Sequence, residues 1–172
     1  VKNLKKYHKM FYGKKFFLTG ANGFLGKYFI KVIIEINKKT NNKIKVLAND
    51  IKFDNCNIFK DPNVKVIKKD INKIKKFNYK CNFILHAAGI PSPKNYYKKP
   101  IETIFTSITS TKNLLEYSSK INSKFIFFSS SEIYGNPDKK NIPTKETYNG
   151  NVSSIEDRSC YDEGKRVGET LC

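Results

Sequence analysis

Thr19-Gly20-Ala21-Asn22-Gly23-Phe24-Leu25-Gly26 is the stretch on which the reading of this chain turns. It follows Phe16, Phe17 and Leu18, the short apolar signature of a buried parallel strand. It precedes Leu25, Phe29, Val32, Ile33 and Ile36, which recur at helical spacing. Strand, turn and helix therefore meet at three glycines. Gly20 permits the tight turn, Gly23 lets the backbone approach a pyrophosphate, and Gly26 lets the helix pack closely on the strand, with the helix N-terminus facing the anion. Three glycines alone also suit an unliganded turn. Placed between a strand and a helix they read as a dinucleotide cradle, with Asn22, Phe24 and Leu25 in the same turn.

Working outward, 172 residues suffice for one domain with a real core and are too few for two full ones. The hydrophobic fraction of 39% suits a soluble globular chain, and no apolar run is long enough to span a bilayer, so no membrane role is expected. Residues 1–13 read as a lysine-rich polar leader without the apolar core of an export signal. Val1 is not a methionine, which leaves open that the chain is an excised piece. The net charge of +18 invites a nucleic-acid reading. The excess, however, is lysine scattered along the chain, with Arg158 and Arg166 the sole arginines, and it reads as solvated faces and not a binding stripe. Cys56, Cys81, Cys160 and Cys172 lack metal-ligand spacing, so no metal is expected and the thiols read as reduced, in a cytoplasmic protein.

In chain order, the pattern predicts strands over 14–18, 44–49, 64–67, 83–85 and 125–128. It predicts helices over 26–38, 101–120 and 161–171, with Ile104, Ile108, Leu114, Leu115 and Tyr117 of the second available for burial. Asp50 ends the second strand, where a carboxylate accepts hydrogen bonds from both adenosine ribose hydroxyls and repels a 2′-phosphate, favouring NAD over NADP. The lesser reading is a simple turn carboxylate, and nearby Lys52 weakens the discrimination. Asp70-Ile71 follows the third strand, where such folds often hold an adenine ring. His86-Ala87-Ala88-Gly89 ends the fourth, where small residues leave room for a cofactor, and His86 itself reads as a packed strand-end side chain. Pro91, Pro93 and Pro100 make residues 90–100 a loop. Ser129, Ser130, Ser131 and Glu132 lie just past the fifth strand, at the carboxyl edge where open α/β sheets bind ligands. Residues 135–157 form a long polar loop of the kind that is usually functional.

Tyr161 and Lys165 lie four apart on one helix face. A phenol is a poor base at neutral pH, and a neighbouring ammonium stabilises its phenolate. With ten tyrosines and abundant lysine, about two such spacings arise by chance, so the pair draws its weight from following the Ser130/Glu132 strand end. The fold class expected is α/β, a doubly wound parallel sheet of Rossmann type over residues 14–172.

These residues resemble the extended short-chain dehydrogenase/reductase superfamily, the NAD-dependent epimerases and dehydratases. Within it, Ser130-Ser131-Glu132-Ile133-Tyr134-Gly135-Asn136-Pro137 and Arg158-Ser159-Cys160-Tyr161-Asp162-Glu163-Gly164-Lys165-Arg166 look like the signatures of the UDP-glucuronic acid decarboxylases (UDP-xylose synthases). Pro91-Ser92-Pro93 with Asn95-Tyr96 is similar to their loop after the fourth strand. The resemblance implies NAD held by Gly20, Asn22, Gly23, Phe24, Leu25, Gly26, Asp50, Asp70, Ile71, Ala87, Ala88, Thr106, Tyr161 and Lys165. It implies a UDP-sugar met by Pro91, Asn113 and Ser131. It also implies chemistry by Tyr161, Lys165, Ser130 and Glu132: oxidation at the sugar C4, loss of the C6 carboxylate from the 4-keto sugar, and reduction back. Ser131 stands where the 4,6-dehydratases usually carry an acid, which leans towards decarboxylation. A 4-epimerase or 4,6-dehydratase stays as an alternative because the nucleotide elements are shared among these enzymes, and a non-catalytic NAD-binding sensor stays because Phe105 and Ser107 depart from the family pattern by removing polar groups. Relatives typically form homodimers and place a sixth strand and a sugar-binding domain after the last helix. The chain as given is thus expected to be truncated before them, able to hold a nucleotide and unable to turn over substrate unaided.

Overall fold

A computed structural model describes residues 7–74 and 76–172. The strand after the leader, β1 (Lys15–Thr19), buries Phe16, Phe17, Leu18 and Thr19 in succession. Such a run is hydrophobic on both faces because neighbours cover both. β1 pairs in parallel with β2 (Lys45–Asp50) on one side and β4 (Phe83–His86) on the other, and β3 (Val64–Lys68) extends the sheet beyond β2. With β5 (Lys124–Phe127) next to β4, the order is β3-β2-β1-β4-β5. The chain leaves β1 towards β2 and resumes at β4 on the opposite flank, so the connections after β1 and β4 diverge. In parallel sheets a ligand crevice opens at this divergence. Each fully buried sheet side chain, Phe17, Leu18, Val46 or Ile84, contributes about 1.5–3 kcal/mol.

The chain divides into two compact units. One comprises the described residues up to Ala88 with Glu116–Ile126, and the other Gly89–Leu115 with Phe127–Cys172.

In the first unit, α1 runs from Phe24 to Asn37, beginning two residues earlier than its sequence pattern predicts, with Gly23 as N-cap. Its buried face also differs. Gly26, Ile30, Ile33 and Asn37 are buried, whereas Leu25 and Val32 are exposed. The sheet selects one stripe of a helix that carries apolar residues on more than one side. Asn37 closes that stripe with two bonds to one residue: its Nδ2 donates to the Ile44 carbonyl (2.9 Å) and its Oδ1 accepts from the Ile44 N–H (2.8 Å). Asn37→Ala would leave both buried backbone groups unpaired and is expected to cost about 1–3 kcal/mol, read as a lower urea midpoint at unchanged slope. Of the polar leader expected over residues 1–13, residues 1–6 lie outside the described residues. His8–Phe11 form a short 3-10 helix, and Phe11 packs on Phe16 and Phe83, whose rings stack at 4.8 Å.

In the second unit, the loop expected over residues 90–100 contains a one-turn helix, α2 (Pro93–Tyr96). Proline is tolerated there because it occupies the first turn, where its missing N–H has no intrahelical partner. The long helix α3 (Pro100–Ile121), which from Glu116 onward belongs to the first unit, buries Thr103, Ser107, Ser110, Thr111, Leu114 and Ser118. Of the residues predicted to cover its inner face, Leu114 alone is buried. Three of the hydroxyls donate to the carbonyl one turn back, Thr103 to Lys99, Ser110 to Thr106 and Thr111 to Ser107, and Ser118 donates to the Ser123 carbonyl beyond the helix. Small side chains here allow close approach, and Ser107 packs against Gly164 of α4 (Ser159–Leu171). The polar stretch 135–157 is closed at its neck by a bridge between Gly135 and Asn151. The Arg166 guanidinium clamps it from α4, with Nη1 donating to the carbonyls of Ile133 (2.8 Å) and Asn149 (3.0 Å). No helix among the described residues is long and apolar enough to cross a membrane.

Candidate functional site

In the first unit the glycine turn lies between the ends of β1 and α1. Gly20 adopts a φ of 68°, and a Cβ there would meet the Ala87 carbonyl at 2.6 Å. A Cβ on Gly26 would lie 2.3 Å from the Gly20 carbonyl oxygen and 2.7 Å from the Cα of Ala21. Because α1 starts at Phe24, the N–H groups of Phe24, Leu25 and Gly26 belong to its first turn, which has no intrahelical acceptors and attracts an anion. Phe24 is 85% exposed, so no side chain crowds the turn at that position.

Asp50 ends β2 and is tied to this turn: Oδ2 accepts from the Asn22 N–H (2.9 Å) and Oδ1 from the Ile51 N–H (2.8 Å). The carboxylate thus shapes the turn, and its half-buried oxygens remain at the strand's end. Asp70 caps a short 3-10 helix by accepting from the Asn72 N–H (3.0 Å), and Ile71 beside it is buried. At the end of β4, Thr19 Oγ1 lies 2.7 Å from His86 Nδ1 and accepts from the Ala88 N–H at 3.2 Å, while the Ala87 N–H reaches the Thr19 carbonyl at 3.3 Å. His86 is wholly buried, a packed histidine. Positive φ, close backbone approach, free helical N–H groups and a carboxylate at the adjacent strand end suit a dinucleotide.

In the second unit α4 carries the other residues. Tyr161 and Lys165 are both buried, and the Tyr161 ring stacks on that of Tyr96 at 5.4 Å and 15°. The Lys165 Nζ donates to the Phe128 carbonyl (2.6 Å) and lies 4.7 Å from the Phe127 ring centroid and 5.9 Å from that of Tyr161. Burial pushes the Lys165 ammonium down to about 8, so its charge is held at neutral pH with little to spare. Ser130 caps the 3-10 helix Ser131–Tyr134, its Oγ accepting from the Glu132 N–H (3.3 Å). The Glu132 carboxylate is paired with the Arg158 guanidinium, whose Nε donates to Asp162 Oδ2 at 2.9 Å. Burial raises the Asp162 carboxyl, and Arg158 opposes that rise.

α4 and its N-cap residue therefore meet the segment 128–132 twice, through Lys165 at the Phe128 carbonyl and through Arg158 at Glu132. Ser131 and Pro91 are exposed, Asn113 and Thr106 are half-buried on α3, and Phe105 points outward at 58% exposure. Sequence reasoning gave no role to Tyr96, Arg158 or Asp162. The four-residue spacing of Arg158 and Asp162 was the one local signal for them. No group of three or more His, Cys, Asp or Glu side chains among the described residues could hold a metal ion.

A doubly wound sheet with a glycine cradle after its first strand defines a dinucleotide-binding α/β fold. The chain belongs to the NAD-dependent epimerase/dehydratase family, whose model matches residues 16–172. It is 34% identical over 157 residues to UDP-glucuronic acid decarboxylase 1 of Arabidopsis thaliana, covering 90% of this chain and 34% of that protein. To UDP-glucuronic acid decarboxylase 1 of Danio rerio it is 31% identical over 162 residues, covering 92% and 37%. A crystal structure of UDP-galactose 4-epimerase shares the fold, with a TM-score of 0.73 at 24% identity over 92% of this chain and 50% of that one. The chain thus spans little more than a third of the length of these curated relatives. NAD is the cofactor of the family, and the cradle in the first unit fits it.

Proposed function

We propose that the whole protein decarboxylates UDP-glucuronate to UDP-xylose through a 4-keto sugar. The observation that carries this reading is α4, which buries Tyr161 and Lys165 on one face and pairs Arg158 with Glu132 on the segment after β5. The named relatives, both UDP-glucuronic acid decarboxylases, support the choice of reaction. Gly20, Asn22, Gly23, Phe24, Leu25, Gly26, Asp50, Asp70, Ile71, Ala87 and Ala88 would hold NAD, joined by Thr106, Tyr161 and Lys165 on the nicotinamide side. When bound, it supplies reversible two-electron oxidation of the sugar C4 alcohol.

Tyr161, on the same helix face as Lys165, acts as the general base on the C4 hydroxyl, and the Ser130 hydroxyl holds the C4 oxygen. The C4 ketone lies β to the C6 carboxylate. The C5–C6 bond can therefore break with its electron pair passing towards C5 and the ketone oxygen, and carbon dioxide leaves. Glu132 relays a proton from solvent water to C5, and Tyr161 returns its proton to the C4 oxygen. Pro91, Asn113 and Ser131 meet the UDP-sugar, and Ser131 in place of an acid disfavours dehydration. The whole protein is expected to work in the cytoplasm as a homodimer through α3 and α4, where Ile101 and Phe105 are exposed.

The test is incubation of the whole protein with UDP-glucuronate, following carbon dioxide and UDP-xylose. Interconversion of UDP-glucose and UDP-galactose without carbon dioxide would sink the decarboxylase reading in favour of an epimerase. NAD binding with no turnover of either sugar would leave a sensor.

A further inference from the structure

We infer that Arg158 is a positioning residue that holds the Glu132 carboxylate for its work at the sugar C5, with the buried Asp162 as its anchor. The inference rests on the role proposed above for Glu132.

Glu132 sits in the first turn of a four-residue 3-10 helix, and its side chain is 35% exposed. A flexible carboxylate in so short an element samples several rotamers unless something outside the element holds it. Arg158, just before α4, does so from 26 residues away in the chain, and its guanidinium is itself held by Asp162 one turn further along the helix. The Asp162 side chain is only 4% exposed, and its second oxygen, Oδ1, is buried without a hydrogen-bond partner among the described residues. A buried carboxylate of this kind depends strongly on its one cation, so the Asp162–Arg158 link is costly to break. The link to Glu132 is more exposed and would by itself be worth little. Joined, they link the buried Asp162 of α4 through Arg158 to the Glu132 carboxylate.

Two alternatives for Arg158 are weaker. One is a receptor for the C6 carboxylate of the substrate. Its single positive charge already faces two negative ones, leaving the cluster net negative and poor at attracting another anion. The other is a purely structural salt bridge, which predicts no dependence on Glu132. Lysine would not replace Arg158 fully, because a point charge cannot bond two carboxylates with the fixed fork of a guanidinium.

The test is a double-mutant cycle in the whole protein, with kcat and KM measured for wild type, Arg158→Met, Glu132→Gln and the double variant, and thermal melting and retained NAD followed in each. Arg158→Met is expected to lower kcat about 100-fold with KM within about threefold of wild type. In the Glu132→Gln background the same change is expected to cost less than about threefold, since its target is gone. Arg158→Lys is expected to recover part of kcat, and it carries the cycle if Arg158→Met does not fold. A full loss that persists in the Glu132→Gln background overturns the inference in favour of a structural role. A raised KM at unchanged kcat overturns it in favour of substrate binding. Unchanged turnover in Glu132→Gln overturns both the inference and the role given to Glu132. If wild type converts a different UDP-sugar without releasing carbon dioxide, the decarboxylase reading fails, and the cycle read on that turnover still decides Arg158. A wild type that converts no UDP-sugar overturns both.

Discussion

Tyr161→Phe is expected to lower kcat of the whole protein about a thousandfold, within the range assigned to a positioned general acid–base group, while leaving NAD retention and melting temperature close to wild type. The reason lies in what the substitution removes. The Tyr161 ring is buried and stacked on Tyr96 at 5.4 Å, and phenylalanine preserves that contact. What disappears is the hydroxyl that exchanges a proton with the C4 oxygen, and neither Lys165 nor Ser130 replaces it. Lys165 is fixed on the Phe128 carbonyl, and Ser130 is an alcohol without a neighbouring base among its described bonds. Stopped assays of carbon dioxide release, with bound NAD followed by fluorescence, separate the two effects. Unchanged kcat would remove Tyr161 from the chemistry.

Gly26→Ala is expected to cost about 3 kcal/mol of stability, at the upper end for overpacking, and to weaken NAD binding sharply. The added Cβ would lie 2.3 Å from the Gly20 carbonyl oxygen and 2.7 Å from both the Cα and the carbonyl oxygen of Ala21. These are backbone atoms and cannot swing aside as the tip of a side chain would. Relief requires α1 to move away from the turn, which displaces the N–H groups proposed to face the pyrophosphate. For a domain of this size the loss corresponds to a melting temperature lower by about 6–12 °C. Gly89→Ala is the control, because a Cβ there meets nothing within 4 Å. Equal melting temperatures and equal NAD affinity for the two variants would refute the close-approach argument.

Local features of the sequence were the most legible. The cradle could be read from Thr19–Gly26 because its requirements, positive φ at Gly20 and a missing Cβ at Gly26, are properties of single residues in a short run. The Tyr161/Lys165 pair could be read because four-residue spacing on a helix places two side chains on one face whatever the helix packs against. Burial was harder. α1 carries Leu25, Tyr28 and Val32 as well as Ile30 and Ile33, and periodicity alone did not say which stripe the sheet would take. On α3 the pattern pointed to Ile104, Ile108, Leu114, Leu115 and Tyr117, yet of these Leu114 alone is buried and the buried side is otherwise lined by Thr103, Ser107, Ser110, Thr111 and Ser118. A helix that bonds its own hydroxyls internally can press a polar-looking face into a tight seam.

By itself, then, the sequence determined the α/β class, the order of the strands along the chain, the position of the glycine cradle and the Tyr/Lys helix, because each follows from backbone constraints acting within a few residues. Only the tertiary structure decided that Arg158 meets Glu132, that Tyr96 stacks on Tyr161 and that Asp50 is bonded to the Asn22 amide. Those partners lie 26, 65 and 28 residues apart in the chain. Contacts at such separations depend on how strands and helices come to lie side by side, which residue spacing along a single segment does not encode.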